Sequence, residues 1–155
     1  MKPEDGLRHS IRLAGESVQA GGGPFGAIVV QAGKVVGAGR NRVTEMRDPT
    51  AHAEILAIRE ACETLSTHRL EGCILYASSE PCLMCLGAIY WARLAEVFFA
   101  NERSEAAEAG FDDAFIYDEI DRPPADRRIR VHRVNVLGAD EPFRLWRARA
   151  DREEY

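Results

Sequence analysis

The chain has 155 residues, 46% hydrophobic and 29% charged, which is the composition of one globular domain with a core and excludes a disordered or collagen-like protein. Its net charge of −5 argues against a nucleic acid or an acidic membrane surface as partner, because both draw on a positive surplus. No apolar run approaches the roughly 18 residues of a membrane span, and the mixed charges of residues 1–5, with no apolar stretch behind them, predict no signal peptide. Four cysteines in such a chain point to metal or redox chemistry rather than a disulfide framework, with the cytoplasm as the expected setting.

Residues 4–20 carry Leu7, Ile11, Ala14 and Val18 at helical spacing, and the run stops at Gly21-Gly22-Gly23-Pro24. Strand-like runs at 27–31 and 34–39 flank Ala32-Gly33, predicting a β-hairpin with Gly33 at positive φ. A second amphipathic helix is expected over 51–65, with Ile55, Ile58, Cys62 and Leu65 on one face and Pro49-Thr50 at its start. Short buried strands are expected at 73–77 and 96–100, with an apolar helix over 81–92 between them. This order predicts an α/β fold, a three-layer α/β/α sandwich with a mixed central sheet. Further on come short helical pieces over 105–120, a turn at Pro123-Pro124, a strand over 131–137 and a last helix from about Asp140. No repeat or linker interrupts the chain, so a single domain over residues 1–155 is expected.

Two strings carry the chemistry: His52-Ala53-Glu54 at one helix start and Pro81-Cys82-Leu83-Met84-Cys85 at another. Each is weak alone, since His-x-Glu arises by chance and Cys-x-x-Cys also makes a redox pair or half of a structural zinc site. Together they are specific. Two thiolates on a helix's first turn can face one point, and the helix N-terminus favours their ionised form. One imidazole from a neighbouring helix start completes three N/S ligands and leaves the fourth tetrahedral position open, as a catalytic zinc requires. His9, His68 and His132 lie in no second ligand motif. Glu54, two residues from His52, can take a proton from water at that position and pass it on. The competing reading is a redox pair of Cys82 and Cys85.

His-x-Glu followed by Pro-Cys-x-x-Cys is the signature of the zinc nucleobase deaminases, and the chain resembles the cytidine deaminase-like superfamily over nearly its whole length. Three segments resemble the small bacterial guanine deaminases: Gly22-Gly23-Pro24-Phe25-Gly26-Ala27, residues 48–54 (Asp-Pro-Thr-Ala-His-Ala-Glu), and residues 80–93 from Glu80 through Ala92-Arg93. The second and third are shared in part with tRNA adenosine deaminases. What points to guanine is the segment from Glu105 through Gly110-Phe111-Asp112-Asp113 to Tyr117, and the ending Glu153-Glu154-Tyr155. The resemblance implies a cytidine deaminase-like fold, Zn2+ held by His52, Cys82 and Cys85, Glu54 as proton shuttle, and hydrolysis of guanine to xanthine and ammonia. It also implies that Asn41 and the Ala53 backbone bind the purine while Asp113 and Tyr155 read its far edge.

Read from the residues, Asp113 suits guanine because the base presents N–H donors to a carboxylate, although a loop acid or helix cap is an equal account. Asn41 is otherwise a turn residue, and Tyr155 otherwise a frayed tail. Phe25 and Trp91 can stack on a flat heterocycle, Phe25 being the stronger candidate, where the plainer reading is core. Cys62 and Cys73 read as core residues, Gly21–Gly23 as a turn rather than a phosphate loop, and Arg127, Arg128, Arg130 and Arg133 as a solvated strand edge. The apolar content of the last helix, Phe143, Leu145 and Trp146, predicts that a C-terminal segment of about 138–155 closes the active site. The expected assembly is a homodimer that exchanges this segment, with a helix packed on its own subunit as the alternative. A tRNA adenosine deaminase, a deaminase of cytosine or a guanine nucleoside, and a non-catalytic zinc-binding domain are the alternative functions.

Overall fold

A computed structural model describes residues 1–154. They form two compact units, residues 1–113 and the segment from Ala114 onward. The first unit runs α1 (Pro3–Gln19), β1 (Gly26–Gln31), β2 (Lys34–Arg40), α2 (Val43–Met46), α3 (Ala53–Leu65), β3 (Ile74–Ser79), α4 (Leu83–Trp91), β4 (Glu96–Asn101) and α5 (Arg103–Glu108). The second holds α6 (Ala114–Ile120), a 3-10 turn at Pro124–Asp126, and α7 (Glu141–Ala148). Among the described residues no helix is long and apolar enough to cross a membrane.

The sheet order is β2-β1-β3-β4. β1 pairs antiparallel with both β2 and β3, and β3 pairs parallel with β4, so the sheet is mixed. Ala32 and Gly33, both at positive φ, form the two-residue hairpin turn that matches the twist of β1 and β2. Alternation along the strands divides the core into two layers. Ala27, Val29, Leu75 and Ala77 face a cluster with Ala57 and Ile58 of α3 and Ile89 of α4. Ile28, Val30 and Tyr76 face the opposite way with Leu7 and Leu13 of α1, where Tyr76 stacks on Phe98 at 5.3 Å. Helices on both faces of a mixed sheet give the three-layer sandwich.

α3 packs Ile58 into the core with Cys62 and Leu65 beside it, as its large residues suggest, whereas α1 departs from its expected face at Ile11 and Val18. Ile11 and Val18 of α1 are about half exposed, and the buried stripe is Gly6, Ser10, Ala14 and Ser17. α3 likewise buries Ala53, Ala57 and Ala61 along with Glu54 and Ile58. The small stripes mark where each helix comes nearest the sheet, with larger side chains such as Leu7, Leu13 and Ile58 flanking them. The Tyr76 ring lies 2.6 Å from where a Cβ on Gly6 would stand, and a Cβ on Gly39 would strike the Ala53 carbonyl. Ser10 satisfies its hydroxyl on the Leu7 carbonyl at 2.8 Å, so its burial leaves no unpaired group.

Residues 131–137 do not form the expected strand. Val131, Val134, Val136 and Leu137 are exposed, and no ladder partner is present among the described residues. Apolar alternation needs a sheet edge to complete its hydrogen bonds, and here none is engaged. The Arg127–Arg133 cluster is therefore coil rather than a strand edge, exposed at Arg128, Arg130 and Arg133, with the half-buried Arg127 guanidinium turned onto the carbonyls of Ile120 and Arg122.

Candidate active site

The sheet brings one set of chain ends together. Because β1 runs antiparallel to β2 and β3 while β4 runs with β3, the start of β1 and the ends of β2, β3 and β4 lie at one edge. Phe25 precedes β1, Asn41 follows β2, Glu80 and Cys82 follow β3, and Arg103 follows β4. A cavity of about 440 Å³ opens there, lined by these residues together with His52, Glu54, Phe111 and Asp113. Ligands of α/β sheets characteristically bind outside the carboxyl ends of the strands.

His52 and Cys82 hold equivalent places, each the residue capping the N-terminus of its helix in extended conformation, and neither side chain bonds back to that helix. Thr50, expected at the helix start, instead donates its N–H and hydroxyl to the Asp48 carboxylate at 2.8 and 2.7 Å, tightening the turn ahead of His52. Cys85 stands three residues inside α4 and is fully buried. His52 Nδ1 lies 3.6 Å from the Cys82 sulfur and 3.5 Å from the Cys85 sulfur, and all three donor atoms lie within 4.8 Å of one another. Ligands 2.0–2.3 Å from a tetrahedral zinc stand about 3.5–3.8 Å apart, so the donor set fits that ion.

The electrostatics of the three are coupled. Hydrogen bonding from Cys85, and then from His52, pulls the Cys82 thiol down to about 4 against the opposing effect of burial. Cys85 is pushed upward by the bond it gives Cys82, by burial and by the Glu54 charge. His52 is raised by its bond to Cys82. Burial pushes the Glu54 carboxyl up; it is 8% exposed and its remaining surface faces the cavity. A buried carboxyl that holds its proton more tightly than usual is suited to general acid–base work near neutrality.

Of the remaining candidates, Asn41 is buried, and its Oδ1 accepts from the N–H groups of Gly23 and Val43 at 3.3 and 3.4 Å. That orientation leaves its NH2 group without an acceptor among the described residues. Phe25 lines the cavity and meets Phe111 edge to face at 5.0 Å. Ala53 is fully buried beneath Gly39 and does not line the cavity. Asp113 lines the cavity and accepts from Arg103 Nε at 3.0 Å. Trp91 is 66% exposed and does not line this cavity. Tyr155 lies outside the described residues. Sequence reasoning did not single out Phe111 and Arg103. Phe111 stands inside the segment that carries the resemblance, and the only signal for Arg103 is its place two residues after β4, a parallel edge strand that is exposed or half-buried where a buried one is expected from its sequence.

A fold with helices on both faces of a mixed sheet, carrying one imidazole and two thiols at two helix starts beside a buried carboxyl, defines a zinc hydrolase of the deaminase type. The chain belongs to the family described as cytidine and deoxycytidylate deaminase zinc-binding region, whose model matches residues 1–101, and zinc is its cofactor. The guanine deaminase of Bacillus subtilis (strain 168) is 53% identical over 156 residues, spanning 100% of both chains. An X-ray structure of guanine deaminase from Bacillus subtilis superposes with a TM-score of 0.97 at 52% identity, covering 100% of this chain and 99% of that one. A tRNA-specific adenosine deaminase of Aquifex aeolicus is 38% identical over 125 residues, 80% of each chain.

Proposed function

We propose that this protein is a guanine deaminase, hydrolysing guanine with one water to xanthine and ammonia. The observation that carries the reading is the full-length 53% identity to the Bacillus subtilis guanine deaminase, against 38% over four fifths of the chain for the tRNA-specific enzyme. The net charge of −5 adds to it, because a tRNA substrate requires phosphate contacts.

His52, Cys82 and Cys85 hold zinc, which when bound supplies a Lewis acid able to lower a water's pKa toward about 7. Glu54 is the proton carrier: it takes a proton from the attacking water, delivers it to the purine ring nitrogen and then to the departing amine. Asn41 donates its NH2 group to a purine acceptor, the Ala53 backbone adds a contact, and Phe25 packs on the ring. Asp113 accepts from the N–H donors of the base, and Tyr155 reads the same far edge. The enzyme is a cytoplasmic homodimer, and its last segment, about residues 138–155, closes the active site of the partner subunit. Two features support this assembly. Among residues 114–154 none is fully buried, while Tyr90 and Trp91 of α4 and Phe99 of β4 expose large apolar surface.

The test is ammonia release from guanine, guanosine, cytosine, adenine and a tRNA anticodon stem, on protein carrying about one zinc per chain by metal analysis. Guanine is expected to be turned over fastest. Faster turnover of adenosine in the RNA stem would sink the reading.

A further inference from the structure

We infer that Arg103 is the positioning residue for Asp113, holding its carboxylate in the pose that grips the purine and so setting affinity for guanine. The inference rests on the guanine reading above. Both residues line the cavity that also holds His52 and Glu54. Arg103 Nε donates to Asp113 Oδ1 at 3.0 Å, and the two side chains are 32% and 21% exposed. Among the described residues the other carboxylate oxygen, Oδ2, has no hydrogen-bonding partner. It is the atom left to accept from a ligand.

Arg103 is itself anchored from the sheet side. Its main-chain N–H donates to Glu80 Oε2 at 3.3 Å, and the Glu80 N–H donates to the Asn101 carbonyl at 2.8 Å. Asp113 lies ten residues further on, beyond α5, and its own main chain makes no such bond to the sheet among the described residues. Without Arg103 its side chain must be ordered each time a ligand binds, and that cost is subtracted from affinity. A planar guanidinium bonding through Nε fixes the direction of the carboxylate as well as its charge, which a lysine ammonium does not. On open surface such a pair contributes little. Here both side chains are more than two thirds buried in the wall of the cavity, so the pair is partly shielded from water and orientation becomes its main effect.

The rival account makes the pair a clasp that only holds residues 103–113 to the sheet. Kd for guanine in the inactive Glu54→Gln chain, and KM and kcat in the active chain, separate the two accounts for Arg103→Ala, Arg103→Lys, Asp113→Ala and the double alanine variant. Loss of Arg103 is expected to raise Kd and KM about 10- to 100-fold while kcat changes by less than about threefold. Lysine is expected to recover only part of the affinity. In the Asp113→Ala background, removing Arg103 is expected to change KM by less than about twofold, because the two residues act as one unit. If Arg103→Ala fails to fold, Arg103→Lys carries the comparison, and an unchanged KM there overturns the inference. A lowered melting temperature with unchanged KM establishes the clasp and likewise overturns it. A wild-type chain inert on guanine removes the functional reading and this inference together, whereas an active wild type beside an unaffected variant removes the inference alone.

Discussion

His52 and Glu54 stand two residues apart on the first turn of α3, yet the imidazole turns to two sulfurs while the carboxyl is buried and pushed upward. Glu54→Gln keeps the shape and the three metal ligands but cannot carry protons. It should retain zinc by metal analysis while losing roughly 10²–10⁴-fold in kcat, the usual worth of general acid–base catalysis. Near-normal turnover would assign the proton to another group. A second expectation concerns the metal-stripped chain. A thiol lowered to about 4 is ionised above that pH, so Cys82 should react with iodoacetamide at a nearly constant rate from pH 8 down to pH 6. An ordinary thiol, with a pKa of about 8.5, loses reactivity about tenfold per unit below it. Cys85 and Cys73 are buried, and Cys62 is raised by burial, so the label should sit on Cys82 by peptide mass, and zinc should suppress it. These ligands were legible because zinc restricts residue type and because Cys-x-x-Cys and His-x-Glu place their groups within one helix start. Arg103 was not, because its partner is ten residues away and no local pattern marks the pair.

At the scale of elements, close approach governs what α3 can present. The helix lies so near β2 that a Cβ on Gly39 would meet the Ala53 carbonyl, next to both His52 and Glu54. Gly39→Val should therefore destabilise the chain by about 1–3 kcal/mol, with a lower melting temperature and weaker zinc retention, since the helix start must move. Gly15 gives the contrast: it is exposed on α1 with nothing near its absent Cβ, and Gly15→Ala should stabilise by about 0.5–1 kcal/mol. Equal effects from the two substitutions would contradict the packing argument. Helical periodicity located both helices and, in α3, the buried Ile58 with Cys62 and Leu65 beside it, but in α1 it favoured Ile11 and Val18, which are about half exposed. The stripes that reach the sheet are Gly6, Ser10 and Ala14 in α1 and Ala53, Ala57 and Ala61 in α3. Hydrophobicity ranks side chains by transfer free energy, whereas the backbone separation at the points of nearest approach admits only small ones.

For the whole molecule the open question is assembly, and mixed variants address it. Glu54→Gln and a chain lacking Tyr155 are each expected to be inactive. Refolded together, they should recover activity in the heterodimer if the last segment of one subunit closes the site of the other, since one site then holds both Glu54 and a partner's Tyr155. Heterodimers without activity would place Tyr155 in its own subunit's site or outside catalysis. Residues 131–137 bear on the same question. Their apolar alternation reads as a strand, yet Leu137 and its neighbours are exposed, because alternation states which side chains share a face and not which edge supplies the hydrogen bonds.

By itself the sequence determined the strands and longer helices through β4, though not the single-turn α2, together with the two-residue hairpin turn at Ala32-Gly33 and the two local motifs His-x-Glu and Cys-x-x-Cys. Each is a relation between residues a few positions apart, which backbone geometry and metal chemistry impose locally. Only the tertiary structure decided the strand order β2-β1-β3-β4, the small-residue faces under α1 and α3, and the meeting of Asn41, Cys82, Arg103 and Asp113 around one cavity. Those depend on which distant backbones approach and how closely, and packing between partners far apart in the chain leaves no periodic trace in either one alone.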